Sequence, residues 1–100
     1  MKNALESRLA ALAAAGETVT YGELAKELGL RMGDLTAQLE ALMEEDAAEG
    51  KTFRAALLCQ RLSPERLPAP GFFDKARSLG CVIEDAAGFV AEHRRRLRAA

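Results

Sequence analysis

Few side chains in this sequence belong to the types that carry out chemistry. There are two cysteines, Cys59 and Cys81, and one histidine, His93. Neither cysteine belongs to a CxxC pair or has a histidine close to it, and one histidine alone cannot form a metal site. The sequence also has no P-loop, no glycine-rich dinucleotide fingerprint and no catalytic set of serine, histidine and carboxylate. We therefore predict a protein without catalytic residues, metal or cofactor, whose thiols are reduced and partly buried.

Charged side chains are the second group that could act, and they are divided between the two halves of the chain. Residues 1–50 carry four Lys or Arg against ten Asp or Glu, and residues 51–100 carry ten against five. An anionic partner is attracted to the positive half, so we predict that DNA, if bound, contacts residues 51–100. The candidate nucleic-acid-binding residues are Lys51, Arg54, Arg61 and Arg66, with Arg31 and Gln38 on the predicted third helix.

The acidic character of the third helix favours a different partner. Between Arg31 and Glu49 there is one cation against six carboxylates, a charge that DNA phosphates repel. A protein partner or a second copy of the chain is therefore an alternative. Its candidate contacts are Glu40, Glu44 and Glu45 on this helix, and Arg94, Arg95, Arg96 and Arg98 near the chain end. Cations at a helix C-terminus are also stabilised by the helix dipole, so both interpretations of the arginines stay open.

Helices with apolar residues at helical spacing are predicted to position these side chains. Thr20 and Glu23 form a capping box, and Gly29 is placed to end the helix that follows it in a left-handed conformation. His93 shares the apolar stripe of the last helix and is predicted to pack there. The five predicted helices span Lys2–Ala15, Tyr21–Leu28, Gly33–Glu49, Phe72–Leu79 and Glu84–Arg98.

Two β-prone segments complete the predicted fold. Thr18–Thr20 suits a short strand, and Phe53–Arg61 alternates in a way that suits a longer one. All three prolines follow between Leu62 and Gly71, which predicts a loop or sheet edge. We therefore predict one domain over residues 1–100, mainly α with a small antiparallel β element: a winged helix-turn-helix with two added C-terminal helices.

Three stretches support this fold by resemblance. Thr20–Leu28, Ala56–Phe73 and Phe72–Gly80 resemble small uncharacterised bacterial winged-helix domains, over nearly the whole chain. The same stretches are more distantly similar to the C-terminal domain of DNA alkyltransferase and alkyltransferase-like proteins. That family has a Tyr-Gly-Glu helix start and a Pro-Cys-His-Arg motif followed by Gly-Phe. Here Cys59-Gln60-Arg61 and Gly71-Phe72 stand at the corresponding places.

The resemblance implies lesion binding more than alkyl transfer. In the family, a histidine relay turns the cysteine into a thiolate nucleophile. Gln60 replaces that histidine and cannot accept a proton, and Leu58 replaces the proline. No clear equivalent of the family's arginine finger is found on the third helix. Cys59 as an alkyl acceptor remains the one enzymatic exception to the prediction of a binding module.

The sequence also predicts a location. The longest uncharged stretch, Leu9–Gly16, has eight residues, against about 20 for a membrane-spanning helix. Glu6 and Arg8 interrupt the N-terminal region where a signal peptide needs an apolar run. We expect a cytoplasmic protein that binds no membrane.

Overall fold

The computed structural model describes residues 3–99 and contains five α-helices, a 3₁₀ helix and two short strands. The 3₁₀ helix (Arg54–Leu57) leads directly into β2 (Leu58–Cys59), which pairs with β1 (Val19–Thr20). The α-helices are α1 (Ala4–Ala15), α2 (Tyr21–Leu28), α3 (Met32–Ala48), α4 (Pro70–Ser78) and α5 (Ala86–Ala99).

The two strands run parallel, with Val19 opposite Leu58 and Thr20 opposite Cys59. The predicted winged helix-turn-helix with an antiparallel element is therefore wrong, because residues 3–99 contain no antiparallel sheet and no β-hairpin after residue 50. The connection explains the direction: α2 and α3 lie between the strands and carry the chain back, as parallel pairing requires.

Of the predicted strand from Phe53 to Arg61, only Leu58–Cys59 form a strand, and Arg54–Leu57 form a turn of 3₁₀ helix. Ala56 donates its backbone N–H to the carbonyl of Phe53 at 3.1 Å, and the Arg54 N–H is bound by the Asp46 carboxylate at 3.0 Å. These hydrogen bonds hold the segment in a helical turn instead of an extended strand. The alternation in the sequence therefore reflects burial on all sides and not a two-faced strand.

The helix boundaries agree with the sequence predictions to within two residues wherever the chain is described. Lys2, where the first predicted helix begins, lies outside the described residues. Thr20 Oγ1 accepts from the Glu23 N–H at 3.2 Å, as predicted, but its hydroxyl donates to the Glu23 carboxylate at 2.9 Å. Gly29 ends α2 with φ +66°, the left-handed conformation predicted for it.

The core lies where α1, α3 and the 3₁₀ helix meet. Ala56 and Leu58 are completely buried at its centre, between the leucines of α1 and of α3. Only Val90 of α5 is fully buried, whereas Phe89 and Leu97 of the predicted stripe are half-buried. Helix α5 therefore packs on the core through partly buried apolar side chains, and polar contacts help to fix its position.

A buried ion pair crosses this core. Asp46 on α3 is 1% exposed, and its carboxylate accepts from the Arg54 N–H and from the guanidinium, at distances down to 2.9 Å. The same guanidinium bonds Glu6 on α1 at 3.2 Å. One arginine thus joins α1 and α3 to the 3₁₀ helix.

His93 connects α5 to the same region. Its ring stacks on Phe53 with 5.3 Å between centroids, and its Nδ1 accepts the Phe53 N–H at 3.1 Å. An accepting Nδ1 must be unprotonated, so the imidazole here is neutral. Burial lowers the pKa of His93 from its ordinary 6.5, and the neighbouring Arg96 lowers it further.

We expect Asp46→Ala to lower the free energy of unfolding by about 3 kcal/mol, because it leaves the partly buried Arg54 guanidinium and the Arg54 backbone N–H without the Asp46 carboxylate. Urea unfolding at pH 7 measures the change. Glu49→Ala is the control: it removes an exposed ion pair with Lys51 from the end of the same helix and should cost about 0.5 kcal/mol or less. Equal losses from the two variants would contradict this interpretation.

We also expect stability to fall as the pH falls below about 6.5. The lowered pKa of His93 means that the unfolded chain binds the proton more readily than the folded one, so acid favours unfolding. Asn supplies an oxygen acceptor that does not titrate, so His93→Asn should flatten the dependence between pH 7.5 and 5.5. Urea unfolding across this range tests it, and an unchanged slope in the variant would assign the effect to other groups.

Candidate binding groove

The structure holds half of the predicted nucleic-acid-binding residues in internal contacts. Arg54 lies in the buried pair with Asp46, and Lys51 pairs with Glu49 at 3.1 Å. Arg66 donates its Nε to the hydroxyl of Thr18 at 2.8 Å. These cations are already engaged within the chain, which reduces what they can offer a ligand.

The other three predicted residues differ in exposure. Gln38 is half-buried on α3. Arg31 and Arg61 are exposed, and within residues 3–99 neither forms an ion pair or a side-chain hydrogen bond. Arg31 and Arg61 are therefore the cations of the predicted set that remain open to a partner.

The predicted protein-partner residues are also divided. Glu40, Glu44 and Glu45 are exposed on α3, and Glu44 pairs with Lys75 at 3.4 Å. Near the chain end, Arg95 and Arg96 both bond Glu92 and lower the pKa of its carboxyl to about 2.

The remaining two arginines of that cluster contact the body of the protein. The guanidinium of Arg98 lies against Gly16 at the C-terminal end of α1. Arg94 donates to the carbonyls of Ala56 at 2.7 Å, Leu58 at 3.3 Å and Arg66 at 2.6 Å. The cluster is thus partly a means of docking α5.

A groove of about 500 Å³ lies between α3 and the N-terminal ends of α2 and α4. Its lining is mainly apolar and includes the exposed Arg61. The residues that form most of it are Thr20, Tyr21 and Gly22 from the start of α2, Met32, Thr36, Leu39 and Met43 from α3, and Gln60, Arg61, Ala69, Gly71 and Phe72.

Several polar groups of the groove are fixed by internal hydrogen bonds. The Tyr21 hydroxyl accepts the Ala69 N–H at 3.0 Å, and the Gln60 amide donates to the Pro68 carbonyl at 3.3 Å. Burial raises the pKa of the Tyr21 hydroxyl, which keeps it neutral. Arg61 and Glu40 are exposed at the rim and carry opposite charges. The groove thus combines an apolar floor with a mixed polar rim.

The wall that carries Arg61 is a compact loop of residues 60–69, called here the 60s loop. The Gln60 N–H bonds the Leu67 carbonyl at 2.8 Å, and the Leu67 N–H bonds the Ser63 hydroxyl at 3.0 Å. Arg66 has φ +56°, a left-handed conformation that residues other than glycine seldom adopt. The loop therefore closes on itself around a strained residue.

Of the groove's lining residues, sequence reasoning named two as binding candidates: Arg61 for nucleic acid and Glu40 for a protein partner. A signal was present nonetheless. The stretches on which the distant family similarity was based, Tyr21-Gly22, Gln60-Arg61 and Gly71-Phe72, are far apart in sequence and all line the groove. Cys59 lies beneath it, 2% exposed and not part of the lining.

Neither a metal site nor a membrane-spanning segment is found in the part of the chain that the structure describes. No group of three or more His, Cys, Asp or Glu in residues 3–99 could hold a metal ion. In the same range, none of the helices is both long enough and apolar enough to cross a bilayer.

Comparison with known proteins does not identify a family. The chain matches no protein-family model, no curated protein and no solved structure. The groove must therefore be interpreted from its own geometry and charge.

We expect Tyr21→Phe to lower the free energy of unfolding by about 1 kcal/mol, because the half-buried Ala69 N–H loses its acceptor. Amide hydrogen exchange should show faster exchange at Ala69, and urea unfolding gives the energy. Thr36→Val is the control: it removes a hydroxyl donor from the opposite wall without leaving an N–H unbonded. Unchanged exchange at Ala69 in Tyr21→Phe would show that the hydroxyl does not hold this wall.

Proposed function

We propose that the chain is a non-enzymatic nucleic-acid-binding module that takes one unstacked base into the groove. Arg61 and Arg31 then contact the flanking phosphates. The observation that carries this proposal is that Arg61, an exposed arginine without an ion pair or side-chain hydrogen bond within residues 3–99, lines an apolar groove.

The chemistry of the floor suits a base. Met32, Leu39, Met43 and Phe72 supply an apolar surface, and the half-buried ring of Tyr21 adds an aromatic one. A base offers a flat apolar face for such a surface and polar edges for a rim, and stacking on an aromatic side chain contributes about 1–3 kcal/mol per base. A base that stays in a duplex stack cannot enter a concave site, so the proposed ligand is single-stranded or locally opened.

The negative charge of α3 also favours a single-stranded ligand over a duplex. Asp34, Glu40 and Glu45 are exposed on this helix, and a helix of this charge lying along a duplex groove would face two phosphate backbones. An unpaired strand that enters the groove beside Arg61 meets Glu40, which also lines it, but avoids Asp34 and Glu45, which do not. Arg31 immediately precedes Met32, which lines the groove.

The proposal assigns no reaction to the chain. Cys59 is buried, and the side chain of its neighbour Gln60 is bonded to the Pro68 carbonyl. A glutamine cannot take a proton from a thiol. The distant similarity to alkyltransferase-like proteins supports binding without transfer. We also propose a cytoplasmic location, for which the two free cysteines give support.

Fluorescence anisotropy with a labelled single strand and a labelled duplex, across a salt series, tests the proposal. We expect tighter binding of the single strand, and weaker binding of a strand of the same length that contains abasic sites. Arg61→Ala should weaken binding about tenfold and reduce the salt dependence by the contribution of about one phosphate contact. Arg95→Ala is the matched control, since Arg95 pairs with Glu92 on α5 and does not line the groove.

Two results would overturn the whole proposal, and a third would overturn its claim that a base enters the groove. One is the absence of binding to either probe at low salt and micromolar protein. The other is equal weakening by Arg61→Ala and Arg95→Ala, because a non-specific cationic surface would respond to both in the same way. Equal affinity for the intact and the abasic strand would show that no base binds in the groove and that the protein contacts phosphates only.

A second candidate function is an interaction with a basic protein surface or with another copy of the chain. It is favoured by Glu40 and Glu45, which are exposed on α3 and form no ion pair within residues 3–99. Light scattering at low and high salt distinguishes self-association, because charge pairing between copies weakens with ionic strength. A monomer at every salt concentration counts against homotypic pairing.

A further inference from the structure

The 60s loop carries Arg61 but has little apolar anchorage of its own. Arg61 and Leu62 are exposed, and among residues 60–69 only Pro68 is fully buried. Its conformation is therefore set by hydrogen bonds, and it also contains Arg66 in the left-handed conformation. Such a residue persists only where the surrounding contacts hold it.

Two contacts reach Arg66 from outside the loop: its own Nε bonds the Thr18 hydroxyl, and Arg94 on α5 bonds its backbone carbonyl. The Nη2 of Arg94 donates both to the Arg66 carbonyl at 2.6 Å and to the Leu58 carbonyl at 3.3 Å. Leu58 precedes the loop and Arg66 lies within it, so one nitrogen fixes the distance between β2 and the far side of the loop. The Nε of Arg94 bonds the Ala56 carbonyl at 2.7 Å and anchors the guanidinium to the 3₁₀ helix.

The guanidinium shape is needed for this arrangement. Its nitrogens lie in one rigid plane, so two of them can serve three carbonyls from different segments. A lysine ammonium has a single nitrogen and cannot bond the same three carbonyls. Within residues 3–99 Arg94 has no carboxylate partner, so backbone carbonyls alone hold its charge.

We propose that Arg94 is a positioning residue for the groove. It holds the 60s loop in the conformation that places Arg61 at the rim, although it lies on α5 and does not line the groove itself. This inference rests on the proposed function, because it assigns to Arg94 an effect on ligand binding exerted through Arg61.

A double-mutant cycle with the labelled single strand tests the proposal. Arg94→Lys keeps the charge but loses the planar set of N–H donors. It should weaken binding about fivefold. In the Arg61→Ala background the same substitution should have little further effect, because the residue that it positions is gone. Arg95→Lys on the same helix is the control and should bind as the unmodified chain does.

If the effects of Arg94→Lys and Arg61→Ala multiply, Arg94 acts independently of Arg61 and the proposal is overturned. Circular dichroism confirms that each variant is folded before binding is measured. If Arg94→Lys proves unstable, the cycle is repeated with Arg94→Gln, whose amide can still donate to a carbonyl.

Amide hydrogen exchange without ligand separates this inference from the proposed function. Arg94→Lys should speed exchange at Gln60 and Leu67 at least about tenfold relative to Arg95→Lys, with α3 unchanged. If no probe binds even the unmodified chain, the proposed function fails and the exchange experiment alone decides whether Arg94 shapes the loop. Equal exchange in both variants would overturn the inference.

Discussion

The pairing of Arg54 with Asp46 is the interaction on which the rest of the structure depends. A carboxylate that is 1% exposed is tolerated only because the Arg54 backbone N–H and guanidinium bond it. The same guanidinium reaches Glu6, so the ends of α1 and α3 are fixed against the 3₁₀ helix. This fixes where β2 begins. The position of β2 in turn determines its parallel register with β1 and the side of the molecule on which Gln60 and Arg61 emerge.

Helix α5 contacts the same central segment. His93 bonds the backbone of Phe53, and Arg94 bonds that of Ala56. With Val90 as its one fully buried side chain, α5 is held as much by directional hydrogen bonds as by apolar contact. These bonds join α5 directly to the 3₁₀ helix, to β2 and to the 60s loop. The groove is therefore shaped by residues that do not line it.

What the sequence could predict was local. Periodicity, the Thr20 cap and Gly29 located the helices, since caps and left-handed glycines act within a few residues. Strand direction depends on contacts between distant segments, so the run from Phe53 to Arg61 could not be assigned from its own alternation.

The internal role of Arg54 was equally hidden, because its partners lie on two other helices. A signal did exist: Asp46 lies three and four residues after Met43 and Leu42, on the inward face of α3. A carboxylate on that face indicates a buried cation. Nothing comparable marked Arg61 as the cation left at a groove, because exposure is set by the fold and not by neighbours in sequence.

The order in which Arg94 and its partners occur along the chain has a consequence for synthesis on the ribosome. Arg94 follows Arg66 by 28 residues, so at about 5–20 residues per second it is added about 1–6 seconds after the loop residue. Local loop closure takes microseconds or less. The time before Arg94 is added is therefore far longer than the time in which a loop of this length changes conformation. Until Arg94 is in place, only the loop's own hydrogen bonds and its contacts with earlier residues define its conformation.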